Sequence, residues 1–465
     1  MKQGKVKLVA RFKWGEDILA LTVFFTMVFI PTVETLARTF NIRGIPASPV
    51  LVQHLTLWIG FLGAILAARQ NKLLALTSIP LFSIDDQFHF GRWAAKTISF
   101  IVVVVLMWGS WNLVKIEFNY PIDIAPNIPR WFAQAIMPIS FGLIAIQIFL
   151  RSTKNNVYRA SMLMITVIWL IVGITGTFQG ENWIVTIGLG IIFLSVIFGA
   201  PIFVGLGGVA ILFFWNDFTT VSAIPAEMYR IVVSPTLPTI PLFTLAGYLL
   251  AESGASKRMV DFFTSAFGWI KGGTPFIVVI LCGFFTALTG GSGVTILALG
   301  GLLYPLLRKS GYSELFSLGL ITVSGSLGLL FPPSLPAIIY GVTAGVSVKN
   351  IFIAGLIPGT ILVFCIGGWA ILRGNKEKIK MESFQWESAL KQFWIAKWEM
   401  IIPILILFGV FGGITTLVET AAITVVYILI IEILVYKDLQ INSLPKIVVD
   451  CATLVGGVLI ILGVA

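Results

Sequence analysis

The sequence predicts an all-α polytopic membrane protein, and three observations carry that expectation. Apolar residues make up 57% of the 465 and charged residues 11%, a balance outside the range of a water-soluble domain, so most of the surface must face lipid. Continuous apolar runs recur along the chain, 98–116 and 131–150 among them, and each is close to the roughly 20 residues a helix needs to cross about 30 Å of hydrocarbon. The runs do not alternate apolar with polar residues, as the strands of a transmembrane barrel would.

The net charge of +10 sits between the apolar runs and gathers on no amphipathic face, so it argues topology and no nucleic-acid partner. Lys2, Lys5, Lys7, Arg11 and Lys13 precede the first run. Arg69, Lys72, Arg92 and Lys96 follow the second, and Arg151, Lys154 and Arg159 follow the fourth. These segments are expected in the cytoplasm, with the N-terminus inside. The connections between them hold fewer cations and carry Glu117, Asp123 and Glu181. The first run, 18–37, is longer than the apolar part of a signal peptide and no small-residue cleavage site follows it, so it reads as the first span. Cys282, Cys365 and Cys451 stand singly in apolar stretches and read as packing residues, with neither disulfide nor metal spacing.

Four spans are expected at 17–38, 49–68, 97–117 and 131–150. Between the second and third, residues 71–92 place Leu73, Leu74, Leu76, Ile79, Leu81 and Phe82 among polar residues, which suggests an interfacial helix. A fifth run, 160–177, connects this module to the rest. The chain therefore divides into a four-helix membrane scaffold at 1–158, a connecting helix at 159–182 and a second module at 183–465.

From about residue 183 the apolar stretches are interrupted in their middles. A broken helix in lipid leaves backbone N–H and C=O groups without partners, which only surrounding protein or an aqueous, ion-filled cavity can supply. The run 276–307 is interrupted by Thr289, Gly290, Gly291, Ser292 and Gly293, the pattern of a re-entrant hairpin with its tip near mid-membrane. The next span breaks at Ser324, Gly325, Ser326, Leu327 and Gly328, then at Phe331, Pro332, Pro333 and Ser334. After a span at 351–372 and a basic connection with Arg373, Lys376, Lys378 and Lys380, an amphipathic segment carrying Trp386, Phe393, Trp394 and Trp398 leads into a third interruption. There Gly412, Gly413, Ile414, Thr415 and Thr416 form the break, with Glu419 just beyond. A final apolar run at 447–465 follows. This order reads as the start of an inverted second copy, the arrangement of alternating-access carriers. The last run would then be the first limb of a second hairpin, and the sequence is expected to be a fragment.

A sodium ion needs several neutral oxygens from freed carbonyls and hydroxyls. Thr289, Ser292, Ser324, Ser326, Ser334, Thr415 and Thr416 offer them at the breaks, beside Gly291, Gly293, Gly328 and Gly413, which let broken elements approach. Close helix packing and Ser bonding to its own backbone explain single positions as well. Pro332 and Pro333 together remove two N–H donors within an apolar span, and such a loss requires a purpose. Glu419 is a candidate ligand by its place in a span, or a cap on the broken helix. Glu34 and Glu252 sit near span ends, and Ser253, Gly254, Lys257 and Arg258 read as a solvated loop. His54 and His89 belong to no catalytic or metal spacing and no Walker loop is present, so neither an enzyme nor a bound cofactor is expected, only sodium as a coupling ion.

The stretch 238–359 resembles the large membrane subunit of tripartite ATP-independent periplasmic (TRAP) transporters. The matching residues are Pro241 with Leu242, Phe243, Thr244, Leu245, Ala246 and Gly247; Gly291, Ser292 and Gly293 with Gly300; Ser324 to Gly328 with Pro332, Pro333 and Ser334; Tyr340 and Gly341; and Phe352, Ala354, Gly355, Pro358 and Gly359. Arg130, Trp131, Pro138 and Gly142 within the four-span pattern are similar to the small subunit, so the chain looks like a fusion of the two. The resemblance implies an elevator-type, sodium-coupled carrier of the bacterial or archaeal inner membrane. It would take up a small organic acid of the carboxylate class, including dicarboxylates, delivered by a periplasmic binding protein. Sodium would lie at the three breaks named above, and the small-subunit part would be a stationary scaffold. The chain departs from the family pattern at Leu417, Val418 and Thr420 around the last break, and at Ile296 and Leu297 after the hairpin tip. The rival reading is a dicarboxylate or citrate-type symporter without a binding protein, against which the four-span module argues.

Overall fold

The computed structural model describes residues 2–76, 89–153, 155–270, 272–374 and 384–465. Among these, nine helices are long and apolar enough to cross a membrane, and a bent pair brings the number to ten. The chain divides into two compact units. One comprises Met1–Phe24, Pro46–Pro235 and Ala452–Ala465; the other comprises Phe25–Ile45 and Thr236–Cys451.

The first unit is built on α1 (Lys2–Thr39, up to Phe24), α2 (Ser48–Gln70), α3 (His89–Asn119), α4 (Arg130–Gln134) and α5 (Ile136–Ser152). A short hairpin of β1 (Asp123–Ala125) and β2 (Ile128–Pro129) joins α3 to α4. The expected spans are all present, the third starting earlier than its apolar run. Leu57, Ile65 and Leu66 of α2 are fully buried, and Phe61 meets Phe141 of α5 edge to face at 5.4 Å. Such a helix needs no polar partners except at its ends. There Arg69 pairs with Glu16 at 2.7 Å and Asp17 at 2.5 Å, while the Arg151 guanidinium donates to the terminal carbonyls of Ala68 and Arg69. Further elements of this unit are α6 (Asn156–Thr175), which is the expected connecting run, α7 (Asn182–Ile197), α8 (Ile202–Asn216) and α9 (Ala223–Val232).

The interfacial helix expected at 71–92 is corrected in part. Residues 72–76 are extended: Ala75 bridges Pro201 and the Leu74 carbonyl accepts the Ile202 N–H at 2.9 Å. Their alternating apolar pattern suits a paired, extended chain better than a helical face. Residues 77–88, including Ile79, Leu81 and Phe82, lie outside the described residues, as do Lys154, Lys376, Lys378 and Lys380.

The second unit centres on α10 (Thr239–Glu252), whose side chains from Thr239 to Gly247 are all buried. Around it lie α11 (Ala255–Phe267), α12 (Gly273–Thr289), α13 (Ser292–Lys309), α14 (Glu314–Leu327), α15 (Leu335–Ala344), α16 (Val348–Gly374), α17 (Trp386–Gly412) and α18 (Leu417–Leu429). A π-helical turn, Ile430–Val435, continues α18. α10 packs on both α12 and α18. The amphipathic aromatic segment and the span after it are one continuous helix, α17, and Phe393 on it packs against Phe262 of α11 at 5.8 Å. The loop expected around Glu252 to Arg258 is instead the end of α10 and the start of α11, an amphipathic helix with Met259 and Val260 buried. The last helix, α19 (Leu444–Val464), is the expected final run. Its part beyond Ala452 belongs to the first unit and crosses α2 there at Gly63 and Gly456.

Candidate functional site

The interruption at 289–293 is a tight reversal. α12 stops at Thr289, Gly290 takes a positive φ of 69°, and α13 starts at Ser292. In one straight helix, residues nine apart would stand about 13 Å apart along the axis. Here the Thr286 hydroxyl donates to Thr295 Oγ1 at 2.8 Å, and Thr289 Oγ1 lies 3.0 Å from the same atom. At the open end, the hydroxyls of Thr274 and Ser310 stand 3.2 Å apart. The two helices therefore form a hairpin along their whole length, cross-linked inside its tip by three buried threonines.

α14 supplies the facing break. It ends at Leu327 in a single 3₁₀ turn, Gly328–Leu330, and bends by 40° into α15 across Pro332 and Pro333, which are joined by a cis peptide bond. A side chain at Gly328 would meet the Gly283 carbonyl at 2.3 Å, and one at Gly325 would meet Ser292 Cβ at 3.6 Å. Gly290 in turn lies against Leu335 at the start of α15, and Gly247 of α10 against the Thr289 backbone. Small residues thus bring Ser292 of the tip to Gly325, Gly290 to Leu335, and the body of α12 to Gly328 of the break.

Hydroxyls at this junction differ in what they are free to do. Ser334 is committed: it donates to the Leu329 carbonyl at 2.5 Å and caps α15 by accepting the Ala337 N–H at 3.4 Å. Ser324 is wholly buried and its Oγ has no hydrogen-bond partner. An unpaired buried hydroxyl is disfavoured by about 1–3 kcal/mol, and Ser324 is the hydroxyl at this junction with capacity for a further partner. Ser326 lies about 200° further round α14 and is exposed, away from Ser324. Gly293 is exposed on the outer side of the tip.

The break at 412–416 is built separately. α17 ends at Gly412, Gly413 takes φ 72°, and Thr416 caps α18. Thr416 and Glu419 form a reciprocal capping box: the Glu419 N–H reaches Thr416 Oγ1 at 3.2 Å, and Glu419 Oε2 accepts the Thr416 N–H at 2.7 Å. Thr415 Oγ1 lies 2.8 Å from Thr420 Oγ1 and donates weakly to the Gly409 carbonyl. Thr415, Thr416 and Glu419 therefore stand together beside Gly413, bonded to one another, to α17, to Thr420 of α18 and to Arg38 of α1.

Sequence reasoning missed a second polar centre in the same unit. Arg258 of α11, read as part of a solvated loop, is 12% exposed and bonded to three carboxylates. Its Nη2 meets both Glu432 oxygens at 3.0 and 2.8 Å, its Nε donates to Glu399, and its Nη1 donates to Asp438. The Tyr436 ring stacks 3.7 Å from the guanidinium, and its phenol oxygen touches both the Ile395 carbonyl and Glu399 Oε2. Burial pushes the Tyr436 phenol well above its ordinary pKa, so it is a neutral hydroxyl. The signal in the sequence was Glu399 and Glu432 themselves, two acids inside apolar runs that require an internal partner.

Residues 189–465 match the family model "Tripartite ATP-independent periplasmic transporter, DctM component", and residues 27–155 match "Tripartite ATP-independent periplasmic transporters, DctQ component". The isethionate TRAP transporter permease protein DctMQ of Oleidesulfovibrio alaskensis is 26% identical over 458 residues, covering 94% of this chain and 71% of its own length. The C4-dicarboxylate TRAP transporter large permease protein DctM of Vibrio cholerae is 34% identical over 52% of this chain and 54% of its own. The ectoine TRAP transporter large permease protein TeaC of Halomonas elongata is 29% identical over 58% of this chain and 64% of its own. The chain thus spans between about half and seven-tenths of these relatives, all of them transport permeases.

Proposed function

Because the chain belongs to the TRAP transporter permeases, with small-subunit and large-subunit parts in one polypeptide, we propose that it takes up a small organic acid across a bacterial or archaeal inner membrane, driven by sodium entry. A periplasmic binding protein delivers the substrate. The relatives are named for isethionate, C4-dicarboxylates and ectoine, so the substrate class is a compact molecule with an anionic carboxylate or sulfonate group.

The observation that carries this reading is Ser324, buried and unpartnered on the bent helix beside Gly325, which lies against Ser292 of the hairpin tip. α12 and α14 end there, and helix C-termini favour a cation, while α13 and α15 begin there, and N-termini favour an anion. Sodium accordingly sits at Ser324 with freed carbonyls of the break and Ser292, and the substrate's anionic group faces the start of α13 or α15. Ser334, Thr415 and Thr416 can add carbonyl oxygens, their hydroxyls being already engaged. Ser326 would have to reach an ion from the other face of α14. The four-helix module within residues 1–158 serves as stationary scaffold together with the elements packed on it, α7–α9 and the end of α19, residues 159–182 serve as connection, and the rest of 183–465, with the hairpin, the bent helix and the third break, is the moving part of an elevator, with the N-terminus in the cytoplasm.

The test is uptake into proteoliposomes by the full permease with its binding protein. Uptake is expected to need both the binding protein and an inward sodium gradient. Unchanged uptake when potassium replaces sodium would overturn the sodium assignment, and unchanged uptake without the binding protein would favour a free-standing symporter.

A further inference from the structure

The helices α3, α6, α7 and α8 of the first unit enclose a cavity of about 530 Å³. Its walls are largely apolar, with Val102 and Val105 of α3, Leu170 of α6, Ile192 of α7 and Leu212 of α8 among them. Trp108 of α3 and Trp169 and Ile174 of α6 also line it, and these three large side chains stand exposed on helices long and apolar enough to cross a membrane. The cavity therefore opens onto a surface that lipid covers. α6 has little protein around it: Met162 and Thr166 are its buried residues, while Leu163, Met164, Val167 and Ile168 are exposed.

The cavity has the length and the polarity of a lipid chain. Along α3 it runs from Ile98 to Asn112, about 21 Å of helix, whereas one leaflet supplies about 15 Å of hydrocarbon. Polar residues collect toward Asn112, where Gln179, Thr219, Thr220 and Ser222 line it, and none of these carries a charge. The Val221 carbonyl marks that end, standing 3.0 Å from where a Cβ on Gly109 of α3 would lie. Gln179 donates to the Trp215 carbonyl at 2.7 Å and the Trp215 indole donates to the Gly173 carbonyl at 3.3 Å, so the polar end is also fixed to α6 and α8. Gly173 keeps the passage clear. Glycine inside a helix costs about 1 kcal/mol relative to alanine, and a Cβ at Gly173 would meet nothing within 4 Å, so close packing is not its purpose. Gly188 and Gly208 differ: Leu212 and Ile192 approach their Cβ positions to 2.6 and 3.1 Å. An apolar cavity holds no ordered water, and hydrocarbon in it recovers the dispersion contacts of its walls.

We propose that this cavity is a phospholipid site: one acyl chain lies along α3 between α6, α7 and α8, and the ester and glycerol oxygens of the lipid sit among Asn112, Gln179 and Thr220. The lipid packs the connecting helix α6 against its neighbours, a task its few buried side chains do not perform. Because no charged side chain lines the cavity, zwitterionic and anionic phospholipids bind alike.

Native mass spectrometry of the full chain, released into mild detergent from vesicles of phosphatidylcholine or of phosphatidylglycerol, reads the site. One phospholipid per chain is expected to survive release from either vesicle. Gly173→Leu places a side chain in the cavity and should lose that lipid, whereas Gly190→Leu, on α7 outside the cavity lining and equally free of neighbours within 4 Å, should keep it. An unmodified chain that carries no phospholipid, retention of phosphatidylglycerol alone, or equal retention in Gly173→Leu and the unmodified chain overturns the proposal. Should Gly173→Leu fail to fold, Val105→Phe fills the same cavity from α3, and undiminished retention in that variant overturns it equally.

Discussion

Arg38 Nη2 stands 3.0 Å from Glu419 Oε2, the same oxygen that accepts the Thr416 N–H at 2.7 Å. The end of α1 thus holds the acid that closes the N-terminus of α18. Glu419, 9% exposed on its side chain, works mainly through the cap, whereas Arg38 is 53% exposed and its charge is screened by solvent. Thr416→Ala is expected to cost about 1 kcal/mol. Arg38→Ala should cost less than about 1 kcal/mol, and Glu419→Ala more than either because it removes both contacts. Thermal unfolding of the three variants in one detergent gives the order; an Arg38 loss exceeding that of Glu419 would contradict it.

α2 and α19 cross backbone to backbone. A Cβ at Gly63 would lie 2.0 Å from the Ala452 carbonyl, and one at Gly456 would lie 2.2 Å from the Gly63 carbonyl carbon. Backbone cannot move aside as a side chain can, so Gly63→Ala and Gly456→Ala should each destabilise by about 1–3 kcal/mol. Gly457 meets nothing nearer than Leu74 at 3.7 Å, and its replacement by Ala serves as the control. Equal melting temperatures for all three variants would show that the crossing is looser than described.

Thr295 is the shared partner of Thr286 and Thr289 inside the hairpin. Thr295→Val keeps the shape and leaves those hydroxyls short of a partner, at an expected cost of about 1–3 kcal/mol. Ser324→Ala removes a hydroxyl that has no partner, so without sodium it should leave stability unchanged or raised. With sodium, the unmodified protein should melt at a higher temperature than in potassium, and Ser324→Ala should lose that difference. A sodium-induced rise that survives in Ser324→Ala would remove the serine from the site.

Arg258 compensates the buried Glu432 charge. Arg258→Ala should destabilise by about 3–5 kcal/mol, the range for stranding a buried charge. Arg258→Lys should recover little, because an ammonium cannot span Glu399, Glu432 and Asp438 with fixed donors as the planar fork does. Denaturation of the two variants, with Glu432→Gln in combination, checks this: the double variant Arg258→Ala with Glu432→Gln should be more stable than Arg258→Ala alone.

The hairpin tip is expected to be wet. Cys282 and Cys451 are buried, whereas Ser292 is partly open. With Cys365 replaced by Ser, Ser292→Cys should react with a membrane-impermeant thiol reagent and be protected by substrate. A thiol at 292 that never reacts would mean the tip is closed in protein.

The positions of the spans and of the three interruptions were legible in the sequence, because lipid leaves a chain few options. Twenty apolar residues must be helical, and glycines and paired prolines in their midst must interrupt the helix whatever surrounds them. That is why 289–293, 324–334 and 412–416 could be located one residue type at a time. The same logic failed at 72–76, where a short alternating stretch fits an interfacial helix and an extended chain equally, and pairing with Pro201 decided between them.

What only the tertiary structure decided was which polar groups meet. Ser324 and Ser326 are equivalent as residue types, yet the packing of α14 against the hairpin buries one and exposes the other. Arg258 looked like a loop cation because its partners lie 141, 174 and 180 positions further along the chain. Hydrophobic periodicity is a local property, fixed within one or two helical turns. Hydrogen-bond and charge partners across helices are set by how whole helices pack, which no local pattern encodes.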